Sequence, residues 1–248
     1  MATHSQFIIP DWPAPANVHA AVTTRTGGTS RAPYDTFNLA THVGDDPAAV
    51  QANRKQLRIA LALPSEPLWL KQVHGNAVVD ATVGHDEPEA DGAYATRAGV
   101  VCAVLTADCL PILLCNRAGT RVAALHAGWR GLAAGVIDQG VAALGVPGSE
   151  LLAWLGPAIG PDAFEVGAEV HTAFVSHDAS AESAFRVQPQ GKYLADLYAL
   201  ARLRLAALGV ESISGGGLCT VRDRSRFYSY RRDGVTGRMA TLIWFSMS

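Results

Sequence analysis

"RVAALHAGWRGLAAGV", residues 121–136, joins an apolar run to a helical pattern through glycines. Val122, Ala123, Ala124 and Leu125 form the unbroken apolar stretch expected of a strand covered on both faces. Downstream, Leu132, Val136, Ile137, Val141 and Leu144 recur on one helical face, so 132–145 reads as a helix. His126, Arg130 and two glycines fill the turn between them. Strand, glycine turn, helix is a building unit of α/β architecture.

Working outward, strands and helices mix along the whole chain. "GVVCAVLTADC" (99–109), "LPILLCN" (110–116) and "RVAALHA" (121–127) read as a buried set of three strands. "VHAAVTTR" (18–25), "LWLKQVHG" (68–75), "AVVDAT" (77–82), "LLAWL" (151–155), "ESISGGGLCT" (211–220), "RFYSYRR" (226–232) and "RMATLIWFS" (238–246) read as further strands. A helix over 46–63 opens with Asp46 as N-cap and Pro47 at its first position. "AFEVGAEVHTAFV" (163–175) and "YLADLYALARLRLAAL" (193–208) read as helices, the second with Leu194, Leu197, Ala201, Leu205 and Leu208 in line. The expectation is one domain over 1–248, of α/β class with α+β as the alternative, holding a mixed central sheet flanked by helices.

The chain has 248 residues, 49% hydrophobic and 17% charged, so a large core is expected. A formal net charge of −2 gives no electrostatic reason for nucleic acid or an anionic membrane as partner. "MATHSQFIIPDW" lacks the basic and apolar regions of a signal peptide. Asp108 and Pro111 interrupt the longest apolar region, which argues against a membrane span. Cys102, Cys109, Cys115 and Cys219 form no C-x-x-C pair, so reduced thiols and a cytoplasmic location are expected.

Three soft donors stand where the chain turns: His74, Cys109 and His126. Two imidazoles and a thiolate match a catalytic zinc set with an open fourth position, and sulfur disfavours magnesium or calcium. Two other readings of the same residues are open. They are polar caps beside a buried cysteine, or a Cys–His nucleophilic pair. Asp108, next to Cys109 in an apolar run, needs a partner if buried, and fits a histidine-orienting or acid/base role. Asp91 reads as a turn-capping aspartate. Arg25 leads a Gly-Gly loop suited to an anion, and Arg130 precedes a helix start. The competing reading of Arg130 is an exposed arginine beside a packed Trp129. "FYSYRRDGVTGR" (227–238) alternates aromatic and cationic residues, as a base or phosphate site does, but an amphipathic strand is the simpler reading. There is no P-loop and no G-x-G-x-x-G.

Six ordered motifs, "TTRTGGTS…FNLATHVGDDP…NR", "KQVHG", "TADCLPILL", "HAGWRG", "GPAIGP" and "YSYRRDGVTGRMATLIW", resemble the laccase-domain family over nearly the whole chain. Members carry the names polyphenol oxidase, peptidoglycan editing factor and zinc-dependent purine nucleoside phosphorylase. The resemblance implies a fold similar to cytotoxic-factor cysteine hydrolases and zinc ligands at His74, Cys109 and His126. It implies phosphorolysis of adenosine, inosine, guanosine and methylthioadenosine, and deamination of adenosine, with a purine nucleoside and phosphate as small-molecule partners. It brings Arg25 and Asn38 forward as substrate or phosphate contacts. Ala158 stands where many relatives have cysteine.

Four functions are weighed. Zinc-dependent nucleoside chemistry leads, with Arg25 and Arg130 holding phosphate and Asp108 carrying a proton. An amide hydrolase acting on a UDP-MurNAc-amino acid precursor is second. A copper-dependent polyphenol oxidase is third, since the eight histidines include no H-x-H pair, and His4, His85 and His177 sit in polar stretches. The fourth is an accessory module with a structural metal; Cys102 and Cys115 are the nearest extra thiols, and it is disfavoured because Cys102 lies seven residues from Cys109 along the strand pattern, poorly placed as a fourth ligand. A monomer is expected.

Overall fold

A computed structural model of the chain describes residues 6–83 and 86–247, so His4 and His85 lie outside the described residues. Thirteen strands and six α-helices are described. The first strands are β1 (Phe7–Ile8), β2 (Val18–Thr23), β3 (Val78–Asp80), β4 (Gly92–Ala95), β5 (Cys102–Thr106), β6 (Leu110–Asn116) and β7 (Val122–Ala127). They are followed by β8 (Leu151–Leu155), β9 (Glu165–Val166), β10 (Phe185–Gln188), β11 (Lys192–Ala195), β12 (Ser212–Gly215) and β13 (Met239–Phe245). The helices are α1 (Pro47–Ala60), α2 (Trp129–Ala133), α3 (Val136–Leu144), α4 (Ala168–Val175), α5 (Leu197–Ala207) and α6 (Tyr230–Asp233).

The strands form three sheets. The six-stranded sheet has the order β12-β8-β6-β7-β4-β3, parallel at its two outer pairs and antiparallel within. The four-stranded sheet, β1-β2-β13-β5, is antiparallel throughout. A small antiparallel sheet, β10-β11-β9, is paired with neither and packs Val166, Phe185 and Ala195 into the core under the six-stranded sheet. A mixed sheet with helices packed on it is the α/β arrangement expected.

Side-chain alternation stacks the layers. One face of the six-stranded sheet, with Leu110, Ile112, Leu114, Ala123 and Leu125, packs on α2, α3, α4 and α5. The opposite face, with Leu113, Cys115, Ala124, Leu152 and Trp154, packs on Val22, Cys102, Val104 and Ile243 of the four-stranded sheet. The outer face of that second sheet, with Ala103, Leu105, Leu242 and Trp244, is covered by Phe37, Leu39 and Leu57 of α1. Every residue of β5, β6, β7 and β8 is therefore buried. That double covering is why their sequences are apolar runs rather than alternations. Each fully buried Leu or Ile contributes about 1.5–3 kcal/mol relative to exposure.

Several expectations need correction. The three-strand set is divided: β6 and β7 pair, while β5 belongs to the other sheet beside β13. "LWLKQVHG" makes isolated bridges at Leu68 and Lys71 rather than a strand. The Gln72 amide takes the place of a partner strand, donating to Leu105 O at 2.8 Å and accepting from Leu105 N at 2.7 Å. Helix 132–145 is broken at Gly135, whose φ of +89° suits a residue without Cβ, into α2 and α3. Residues 163–175 contain β9 at Glu165–Val166 and become helical only at Ala168. Tyr193–Ala195 belong to β11. Asp196 accepts from the N–H groups of Tyr198 and Ala199 and starts α5 there, so Leu194 is not on the helical face. "RFYSYRR" forms loop and α6 rather than a strand, because Ser229 caps Arg232 N. Asp46 caps α1 as expected, accepting from Ala48 N at 2.9 Å.

Candidate metal centre

The β6–β7 ladder sets Leu110 opposite Ala127 and Pro111 opposite His126. Cys109, one residue before β6, and His126, near the end of β7, therefore meet at one edge of the six-stranded sheet. His74 arrives from the loop that Gln72 anchors. One donor atom from each of the three residues lies within 4.8 Å of the others. Cys109 Sγ is 3.9 Å from His74 Nε2, and the two imidazoles meet edge to face at 4.9 Å.

A buried carboxylate organises this cluster. Asp91 accepts from His126 Nδ1 at 2.7 Å and from the N–H groups of Val73 (3.3 Å), His74 (2.9 Å) and Gly75 (2.6 Å). Its own carbonyl accepts from His126 N at 2.7 Å. One side chain thus orients the ring of one histidine and the main chain of the other. Committing Nδ1 leaves Nε2 of His126 for the cluster. Asp91 does cap a turn, as expected. It also takes the histidine-orienting role that was expected of Asp108.

Asp108 sits at φ +97° and His74 at φ +61°, left-handed conformations that cost a side chain roughly 1–2 kcal/mol. Asp108 Oδ1 accepts from the Thr220 hydroxyl at 2.5 Å and Oδ2 from Arg231 N at 2.7 Å. Those bonds hold the bend that aims Cys109, and they join it to the C-terminal segment.

Burial alone pushes the Cys109 thiol up. The His126 charge and hydrogen bonds from both imidazoles outweigh it and bring the thiol down to about 6. Burial pushes His126 down, but the Cys109 thiolate and Asp91 raise it to about 9. For Asp91, burial raises the carboxyl, and bonds from His126, Gly75 and His74 overcome it, leaving the group below its usual range. In the metal-free chain all three shifts favour the charged forms: thiolate, imidazolium and carboxylate.

The opening stretch gains its reason here. A Cβ on Gly128 would stand 3.0 Å from both Cys109 Sγ and His74 Cδ2, and one on Gly131 would be 2.5 Å from Gly75 O. Both glycines let α2 approach the histidine loop. Arg130 is exposed, with its guanidinium 4.5 Å over the Trp129 ring, matching the alternative reading of that residue.

The donor set fits zinc. Bonds of about 2.0–2.3 Å in a tetrahedron require donors about 3.3–3.6 Å apart, so a small contraction of the cluster would close on the ion. The side of the cluster away from Asp91 faces a cavity of about 430 Å³, whose wall includes His42, Leu105, Asp108, Phe164, Tyr230, Arg231 and Arg238. Neither Arg25 nor Asn38 is part of that wall. Arg25 donates to Asp35 O at 3.1 Å, Asp35 Oδ2 at 3.2 Å and Arg224 O at 3.4 Å, and it lies 4.9 Å over Tyr228. Buried Asn38 bonds Ala40, Asp45 and the Arg238 N–H. The wall residues of 230–238 and His42 were not assigned individually from sequence, although "FYSYRRDGVTGR" carried the signal as a stretch of aromatic and cationic residues.

Relatives agree with this architecture. The chain is 57% identical over 239 residues to a Pseudomonas aeruginosa protein named purine nucleoside phosphorylase PA4543, covering 96% of this chain and 98% of the relative. It is 55% identical to Escherichia coli purine nucleoside phosphorylase YfiH, over 97% of this chain and 99% of the relative. The crystal structure of Neisseria meningitidis NMB0706 superposes with a TM-score of 0.95 at 52% identity, covering 98% of this chain and 100% of that one. YlmD from Geobacillus stearothermophilus superposes at 0.90 with 31% identity, over 100% and 98%. Residues 19–246 match one family model throughout, and the chain belongs to that family, described as multi-copper polyphenol oxidoreductase laccase.

Proposed function

We propose that the protein is a zinc-dependent purine nucleoside phosphorylase acting on adenosine, inosine, guanosine and methylthioadenosine. The observation that carries this reading is the Cys109/His74/His126 donor set opening onto a cavity of about 430 Å³, a volume suited to a small molecule. The names of the relatives supply the substrate class. His74, Cys109 and His126 would hold the metal, and Asp91 holds the ring of His126 and the backbone of His74. A zinc ion held by these residues would supply Lewis acidity at neutral pH.

The chain's own groups account for the rest. Leu105, Ile159 and Phe164 line the cavity with apolar side chains suited to packing on a purine ring. In phosphorolysis a phosphate oxygen bonds to the anomeric carbon as the glycosidic C–N bond breaks. The electron pair goes to the purine, which must gain a proton. Among the described residues Asp108 is the single carboxylate in the cavity wall, so we assign it to exchanging that proton.

Adenosine deamination draws on the same open position and is the second activity we propose. An amide hydrolase using the Cys109 thiolate fits the lowered thiol and ranks next. Copper suits an N/S set chemically. The described residues hold one three-donor cluster, fewer than a multi-copper oxidase needs, which places oxidation last.

The test is base release from inosine and adenosine by zinc-loaded protein. The expected outcome is hypoxanthine or adenine with ribose 1-phosphate, dependent on phosphate and lost in Cys109→Ala. Release that continues at full rate without phosphate would mean hydrolysis and end the phosphorylase reading. Inosine accumulating from adenosine would demonstrate the deaminase.

A further inference from the structure

We propose that Arg238, with His42 beside it, is the seat of the phosphate co-substrate in the cavity. This rests on the phosphorylase reading and replaces Arg25 and Arg130 as the phosphate holders expected from sequence.

A guanidinium carries five N–H donors in a rigid fork. Arg238 Nη1 donates to Thr236 O at 2.9 Å and Gly237 O at 3.0 Å. Among the described residues, its Nε and Nη2 have no hydrogen-bond partner and no carboxylate lies within 4 Å of it. Three donors of a half-buried cation in a cavity wall are thus left for a ligand. Two oxygens of a phosphate match the fork. The other cavity arginine does not compete. Arg231 directs Nη1 and Nη2 to the carbonyls of Ala163 and Glu165.

Arg238 is also held still. Its N–H donates to Asn38 Oδ1 at 2.9 Å, and Asn38 is itself locked by Ala40 and Asp45. The Tyr230 ring lies 5.9 Å from the guanidinium carbon. A fixed cation loses little entropy when an anion arrives. Its electrostatic neighbours are Cys109, Asp108 and Tyr230, so the cation belongs to the same field as the metal cluster. His42 lines the same cavity. Burial first, and then the Arg238 charge, push this imidazole below its ordinary value, which leaves a neutral ring able to donate or accept.

The test varies phosphate at saturating inosine with zinc-loaded protein. Arg238→Met is expected to raise the KM for phosphate about 10- to 100-fold, with the KM for inosine and the zinc content unchanged. Arg238→Lys, which keeps the charge but not the fork, is expected to fall between. If Arg238→Met does not fold, Arg238→Lys gives the reading. A phosphate KM that is unchanged in Arg238→Lys and Arg238→Met, or one raised by Arg25→Met or Arg130→Met instead, overturns the assignment. Should wild-type protein release no base from any nucleoside, phosphorolysis itself fails, and calorimetric titration of inorganic phosphate separates the two. Phosphate binding to wild type that weakens in Arg238→Lys keeps the anion seat. Absence of binding to wild type, or equal binding to both, removes it.

Discussion

Asp91 and Asp108 show how far a single residue could be read before the chain was folded. Both carboxylates stood out, but their roles depend on contacts across 16 to 123 positions. No local pattern reveals that Asp91 reaches the amides of 73–75 and the ring of His126 together. Asp91→Asn is expected to weaken zinc binding about 10- to 100-fold, measured by competition with a chromophoric chelator. Equal affinity in the variant would reduce Asp91 to a turn cap. Thiol chemistry gives an independent check on the same cluster. Burial pushes Cys115 up to about 12, while Cys109 is held near 6. The thiolate is the reactive form, so at pH 7 alkylation of metal-free protein should strike Cys109 and spare Cys115. As pH falls through about 6, Cys109 takes up its proton and the rate should drop. Zinc should protect it. Mass-spectrometric mapping of the adduct reads all three outcomes, and labelling of Cys115 at a comparable rate would contradict this account of the site.

Among the elements, buried strands were legible and the segments around them were not. β6, β7 and β8 announce themselves as apolar runs because both faces are covered. "LWLKQVH" looks like a strand, yet a side chain, Gln72, makes the bonds that a neighbouring strand would make. Sequence periodicity does not distinguish the two. The break at Gly135 was hidden because α2 and α3 share an apolar face across it. Turn chemistry is more testable. Gly128 has φ −64°, open to any residue, so Gly128→Ala tests space alone. The added methyl must push on Cys109 and His74. Zinc affinity is expected to fall while the melting midpoint of the metal-free protein stays within a few degrees. A large loss of midpoint with affinity intact would mean that Gly128 serves the α2 packing instead.

For the whole molecule, the long-range pairing of β13 with β2 and β5 was the least accessible feature, because nothing near residue 240 indicates a partner near residue 22. The six motifs and the family resemblance did lead to the three donors, while the cavity's far wall emerged only when α6 and β13 were in place. Leu242, fully buried in β13, probes that arrangement. Leu242→Ala is expected to cost about 2–5 kcal/mol, lowering the midpoint by roughly 5–15 °C. A shift under about 2 °C would mean that the strand contributes little. The position of β13 also has a consequence for how the chain is made. During synthesis from the N-terminus, β2 and β5 emerge long before the strand that must lie between them, and Ala240 N meets Thr23 Oγ1 across 217 positions. Until β13 leaves the ribosome, two bare strand edges wait for their middle. A chain interrupted before β13 therefore keeps those edges uncovered, and aggregation is expected to compete with folding in it.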